Sequence, residues 1–192
     1  MPREIRTLST EVRASPKEGG GLRFAGYAAR FNVRSSDLGG FIEQIAPGAF
    51  AEAIANDDVR VLFNHDPNCV MGRTKAGTAV LKEDENGLWF DVEAPDIEWV
   101  RGLHASVSRG DIDQCSFSFS VEAEEWERGE HGEPDLRTLK KCRLYDVSIV
   151  TYPAYEATSV SARSYVGDNK RGKNEILRRK MNLKEKEWRT HE

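Results

Sequence analysis

The segment Gln114–Val121 (QCSFSFSV) constrains this chain most, because it alternates apolar and polar residues without a break. In a strand, successive side chains point to opposite faces. Cys115, Phe117, Phe119 and Val121 therefore share one face, and Ser116, Ser118 and Ser120 share the other. An aromatic face buried against a core fixes the register, since a slip of one residue would turn every phenylalanine outward. The serine face is then fixed in space as well. A serine hydroxyl becomes a useful nucleophile only when a neighbouring base removes its proton. Alternation alone does not choose among the three serines, and it suits equally an ordinary strand whose serines face solvent.

Other runs with the composition of strands are Leu22–Phe31, Phe41–Ile45, Val59–Asn64, Leu136–Cys142 and Arg143–Tyr152. Ala79–Glu83 and Leu88–Glu93 read as a hairpin across Asp84–Gly87, with Asn86-Gly87 as its turn signal. Pro47 opens a short helix, PGAFAEAIAN. A second helix is predicted from a cap at Asp96 to Arg109, closed by Gly110, with Ile97, Val100, Leu103 and Val107 on one side. Strands outnumber helices and do not alternate with them. The expected fold is mostly β with peripheral helices (α+β), a closed, antiparallel-rich β-barrel of about seven strands.

The chain of 192 residues divides into a flexible lead-in over 1–21, a domain over 22–163 and a charged tail over 164–192 that is helical or disordered. Its net charge of -4 is unevenly spread: from Arg163 to Glu192 the balance is +5, and before that it is -9. An acidic body argues against a specific nucleic-acid partner. Three cysteines, Cys69, Cys115 and Cys142, with no C-x-x-C pair fit neither a disulfide framework nor a zinc ribbon. No apolar run approaches the roughly 18 residues of a membrane span, and the first residues lack a signal peptide's apolar segment. A soluble protein made without export is expected.

Of the four histidines, His191 lies near the end, His131 in a polar loop and His104 on a helix. His65 directly follows the β-rich run Val59–Asn64, where a rigid scaffold can aim a side chain into a cleft. A structural or capping role suits the same place. Asp146 sits within the otherwise apolar run LYDVSIVTY. A carboxylate there is costly to bury unless it accepts hydrogen bonds or faces a positive charge. Orienting a histidine that becomes charged during catalysis would meet that need; so would pairing with Arg143 or Lys141.

Six blocks resemble, in order, the prohead serine proteases of tailed bacteriophages (caudoviruses), fold relatives of the herpesvirus assemblin proteases. They are Gly26–Phe31 (GYAARF), Phe41–Phe50 (FIEQIAPGAF), Leu62–Thr74 (LFNHDPNCVMGRT), Gly87–Val92 (GLWFDV), Gly110–Phe119 (GDIDQCSFSF) and Leu144–Tyr155 (LYDVSIVTYPAY). The resemblance implies a serine endopeptidase whose catalytic histidine is His65, in the N-H-D block. It implies Ser116, first of the S-F-x-F strand, as nucleophile, and Asp146, before the Pro-Ala dipeptide, as the third member. Many relatives carry Glu at that last position and Gly between the two phenylalanines, where this chain has Asp146 and Ser118.

The same resemblance implies a function in capsid maturation: cleavage of the scaffolding segment of the major capsid protein, and of the protease itself. It implies a homodimer acting in the host cytoplasm inside the viral prohead, with no metal, no organic cofactor and no membrane partner. By analogy with assemblins, backbone near Thr151–Tyr155 would supply oxyanion donors. Three other readings stand beside it. One is a non-catalytic capsid or scaffold component of the same fold. Another is a cysteine protease using Cys115, although alternation turns Cys115 away from the serine face. The third is a metal site at His65-Asp66, which lacks a second histidine cluster.

Overall fold

Alternating sequence becomes paired backbone in ten strands among the described residues. The computed structural model describes residues 2–9, 12–16, 21–130 and 132–152. The charged tail over 164–192 lies outside the described residues. The elements in order are β1 (Glu4–Ser9), β2 (Val12–Pro16), β3 (Leu22–Arg30), β4 (Phe41–Ile45), α1 (Ala51–Asn56) and β5 (Arg60–Phe63). There follow β6 (Val70–Arg73), β7 (Ala79–Glu83), β8 (Gly87–Ala94), α2 (Glu98–Arg109), β9 (Gln114–Glu127) and β10 (Asp135–Val150).

The strands form two sheets. One is mixed and six-stranded, in the order β1-β9-β10-β5-β6, with β4 also paired to β10; the other has four strands in the order β2-β3-β8-β7. β10 organises the first. The antiparallel β9 runs along one of its edges, while β4 and then β5 pair with it in parallel, at Asp135–Leu139 and Asp146–Ile149. Three register shifts interrupt the β9–β10 ladder between Leu139 and Asp146. Bulges of this kind bend a strand and increase its twist.

The expected closed barrel is not what forms: the chain builds a six-stranded mixed sheet and a four-stranded antiparallel sheet, and neither closes. The physical reason is that alternation reports which face of a strand is buried and is silent on which edge it pairs with. The segments read as two strands, Leu136–Cys142 and Arg143–Tyr152, are one bulged strand, β10. The lead-in over 1–21, expected to be flexible, contributes β1 on the edge of β9 and β2 on the edge of β3. Its polar composition hid them, because an edge strand draws on ladder hydrogen bonds and needs little apolar content. Asp96 does not cap α2; it pairs with Arg101, and Ile97 holds the cap position. Gly110 closes α2 in the left-handed conformation, as expected.

Both sheets contribute to one core. Phe24 and Phe90 come from the four-stranded sheet, Phe117 and Phe119 from the six-stranded one, and all four are fully buried. Phe117 stacks on Phe119 with centroids 4.9 Å apart and meets Phe50 edge-on at 5.5 Å. Burying an aromatic ring of this size is worth about 1.5–3 kcal/mol, so this face of β9 is strongly held.

The β7–β8 hairpin closes through Asp84, whose Oδ1 accepts from the backbone N–H of Asn86 (2.7 Å) and Gly87 (3.2 Å). Gly87 has φ +154°, and a Cβ there would lie 2.0 Å from the Ala29 carbonyl oxygen of the neighbouring strand. Gly87→Ala is expected to lower stability by about 2 kcal/mol, or about 4–8 °C in Tm. Thermal unfolding followed by circular dichroism measures it.

Candidate active site

Ser116 and Asp146 sit diagonally on one face of the β9–β10 ladder. In the β9–β10 register Ser116 lies opposite Ser148, and Ser118 opposite Asp146. Directly opposed residues share a face, so two serines of β9 and two polar residues of β10 form one polar patch. Cys115, Phe117, Val147 and Ile149 occupy the other, apolar face and are fully buried. Cys115 therefore does not share the side of the sheet that holds Ser116. The thiol of Cys142, buried beside Glu43, is pushed up to about 12, which leaves it protonated.

His65 arrives from β5, which pairs in parallel with β10 as far as Phe63–Ile149. Asn64 and His65 then take positive φ values of 52° and 56°. Two successive non-glycine residues in the left-handed region carry backbone strain of order 1 kcal/mol or more each, which surrounding contacts must offset. Here the Asn64 amide N–H donates to the Ile149 carbonyl at 2.9 Å, and Asn64 Oδ1 accepts from Thr151 N–H at 2.9 Å. The His65 amide N–H donates to Ser148 Oγ at 3.2 Å. This turn swings the imidazole back over the polar patch.

The result is a continuous hydrogen-bonded chain. His65 Nε2 lies 2.7 Å from Ser116 Oγ, and His65 Nδ1 lies 2.5 Å from Asp146 Oδ1. Ser148 Oγ donates to the same carboxylate oxygen at 3.0 Å. Asp146 is nearly fully buried, and its other oxygen, Oδ2, is paired with the Arg3 guanidinium, which also donates to Ser118 Oγ. Such a chain can draw a proton from the hydroxyl, hold the imidazole in one tautomer and balance the charge that develops on it.

The three residues singled out from the sequence are thus brought together. Arg143 and Lys141, the alternative partners for Asp146, pair instead with Asp57 and with Glu52 and Glu122. His104 packs edge-on against Phe24, and His131 and His191 lie outside the described residues. Asp66, next to His65, accepts from the Asn68 amide. Of the expected oxyanion region, the Thr151 N–H is already committed to Asn64, and Pro153 to Tyr155 lie outside the described residues.

Sequence reasoning missed Arg3, Ser148 and the strand β1. Ser148 carried a weak signal, sitting two residues beyond Asp146 in a strand and so on its face. β1 pairs antiparallel with β9 in the register Thr7↔Ser116 and Ile5↔Ser118. Thr7 Oγ1 donates to Ser116 Oγ at 3.2 Å, and the Arg6 carbonyl oxygen lies 2.9 Å from Ser116 Oγ. Ser116 is 0 % exposed as a result.

On the other side of β1, Arg6 and Glu4 enter a buried charge cluster. Arg6 forks onto Glu43 (Nε–Oε1 2.7 Å, Nη2–Oε2 3.0 Å) and also reaches Glu4 (2.6 Å). Arg137 holds Glu4 and Glu43 at 3.0 Å and pairs with Glu124. Burial works to raise the Glu4 carboxyl, but Arg137 and Arg6 outweigh it and hold it below its usual range. Burial likewise disfavours the charge on Arg6, and Glu43 more than offsets it.

No curated protein matches the sequence. Among solved structures, the capsid assembly protease gp21 of bacteriophage T4 is similar with a TM-score of 0.46 and 13% identity, covering 78% of this chain and 99% of that one. The sequence matches the caudovirus prohead serine protease family over residues 8–171, a span that contains His65, Ser116 and Asp146, and the chain belongs to that family.

Proposed function

We propose that this chain is a serine endopeptidase of capsid maturation in which Ser116 is the nucleophile, His65 the general base and Asp146 the orienting acid. One observation carries the reading: Ser116 Oγ, His65 and Asp146 are linked at 2.7 and 2.5 Å in a member of the prohead serine protease family. His65 Nε2 takes the hydroxyl proton as Ser116 Oγ bonds to the scissile carbonyl carbon. The same proton passes to the amide nitrogen as the C–N bond breaks, leaving an acyl-enzyme. Water, deprotonated by His65, then attacks the ester carbon, and the C–Oγ bond breaks as His65 returns the proton to Ser116 Oγ. Asp146 accepts from His65 Nδ1–H throughout, steadied by Ser148.

The substrates in this reading are the scaffolding segment of the major capsid protein and the chain itself, inside the immature shell. A homodimer belongs to the same reading. Because Ser116 is fully buried under β1, a peptide from another molecule reaches the hydroxyl only by taking the place of β1.

Co-expression with the capsid subunit tests this. Ser116→Ala is expected to abolish processing, a loss on the order of 10⁶ in rate, while Ser118→Ala retains it. A non-catalytic capsid component would give equal processing in all three chains. Asp146→Asn is expected to lose about 10⁴ in kcat through the wrong imidazole tautomer, measured on a fluorogenic peptide. Arg3 is half exposed, so its contact with Asp146 is worth only about 1 kcal/mol after solvent screening. Arg3→Ala is expected to loosen β1 and speed Ser116-dependent peptide cleavage about fivefold.

A further inference from the structure

The charge cluster beneath β1 is far more elaborate than the anchoring of a single edge strand requires. Glu43 is 4 % exposed and Arg137 2 % exposed. Glu43 comes from β4 and Arg137 from β10, and neither belongs to the chain of Ser116, His65 and Asp146. Their partners on β1 are side chains of a segment that must leave before another peptide can enter. Taking Arg6 and Glu4 away leaves the buried Glu43 and Arg137 with the partly exposed Glu124, a set with one uncompensated negative charge. A buried unpaired carboxylate is costly, so the vacated position selects its next occupant by charge.

We propose that Glu43 and Arg137 form the specificity subsites of the protease and that its substrate is an extended peptide carrying arginine at the cleaved residue, with an acidic residue two positions before it. The proposal rests on the proteolytic reading above. β1 supplies the template. It lies along β9 as an added strand, which is how sheet edges commonly take up extended peptides. Ser116 Oγ lies 2.9 Å from the Arg6 carbonyl oxygen, so Arg6 stands where the acyl residue of a substrate would. Its side chain occupies the Glu43 subsite, and that of Glu4, two residues earlier, occupies the Arg137 subsite.

The chemistry of the first subsite favours arginine over lysine. Both Glu43 oxygens are met by separate guanidinium nitrogens, at 2.7 and 3.0 Å, a fork geometry that an ammonium cannot reproduce. The guanidinium also lies 5.5 Å from the centroid of the Phe119 ring, within cation–π range. At the second subsite both Arg137 terminal nitrogens donate to Glu4, at 3.0 and 3.2 Å. Arg137 keeps Glu124 and Glu43 in either case, so the acidic preference is the weaker of the two.

The test uses the full chain carrying Arg3→Ala and two peptides that differ only in arginine or citrulline, its uncharged isostere, at the cleaved residue. Cleavage that disappears in Ser116→Ala is the readout. The expected kcat/KM for the arginine peptide is at least tenfold above that for the citrulline peptide. Glu43→Gln is expected to bring the ratio within about twofold, and Glu43→Asp to restore part of it. The ratio in the chain that keeps Glu43 decides the matter even if Glu43→Gln fails to fold. Ser116-dependent cleavage with a ratio near one, or with mapped cuts that ignore arginine, overturns the subsites and leaves the protease standing. No Ser116-dependent cleavage of any peptide overturns the protease itself.

Discussion

The pairing of β9 with β10 is the constraint on which the rest depends. It sets Ser116 opposite Ser148 and Asp146 opposite Ser118, and the Phe117–Phe119 stack on the reverse face prevents the ladder from slipping. β5 pairs with β10 as far as Phe63, and the turn that follows brings His65 within reach. The hydrogen-bonded chain of side chains is held by backbone ladders and a packed core. Its one strained part is the left-handed Asn64–His65 turn, and that turn is tied to Ile149 of β10 and to Thr151 just beyond it.

β1 is held differently. Its grip comes from ladder bonds, from Arg3 on Asp146 and from the Glu4–Arg6 contacts with buried charges. Ionic contacts gain little over hydration when both states find partners, whereas apolar burial is lost outright on exposure. A strand attached in this way exchanges more readily than one sealed by phenylalanines. The structure thus combines a rigid hydrogen-bonded chain of side chains with a covering whose attachment is largely electrostatic.

What was legible in the sequence follows from the same physics. Gln114–Val121 announced its faces because apolar burial writes a period of two, and the resemblance then singled out Ser116, His65 and Asp146. The two helices and the Asp84–Gly87 hairpin were legible from proline, glycine and apolar spacing. The sheet edges were not. Nothing in EIRTLS distinguishes a strand that pairs with β9 from a solvated lead-in, since its partners are backbone atoms and charges drawn from distant segments. For the same reason nothing singled out Arg3, Glu43 and Arg137, and the open pair of sheets was read as a closed barrel.

β10 carries Arg137 near its start and Asp146 and Ser148 near its end, with three register shifts against β9 between Leu139 and Asp146. Those shifts set the phase between the two ends of the strand, one of which touches Glu4 of β1 and the other Arg3 just before it. Most of the intervening letters can change provided volume and polarity are kept. The count cannot: deleting one residue would invert every position beyond it, turning the carboxylate into the phenylalanine layer. Spacing in this stretch is therefore under a tighter geometric rule than identity, and related chains should drift in composition here well before they drift in length.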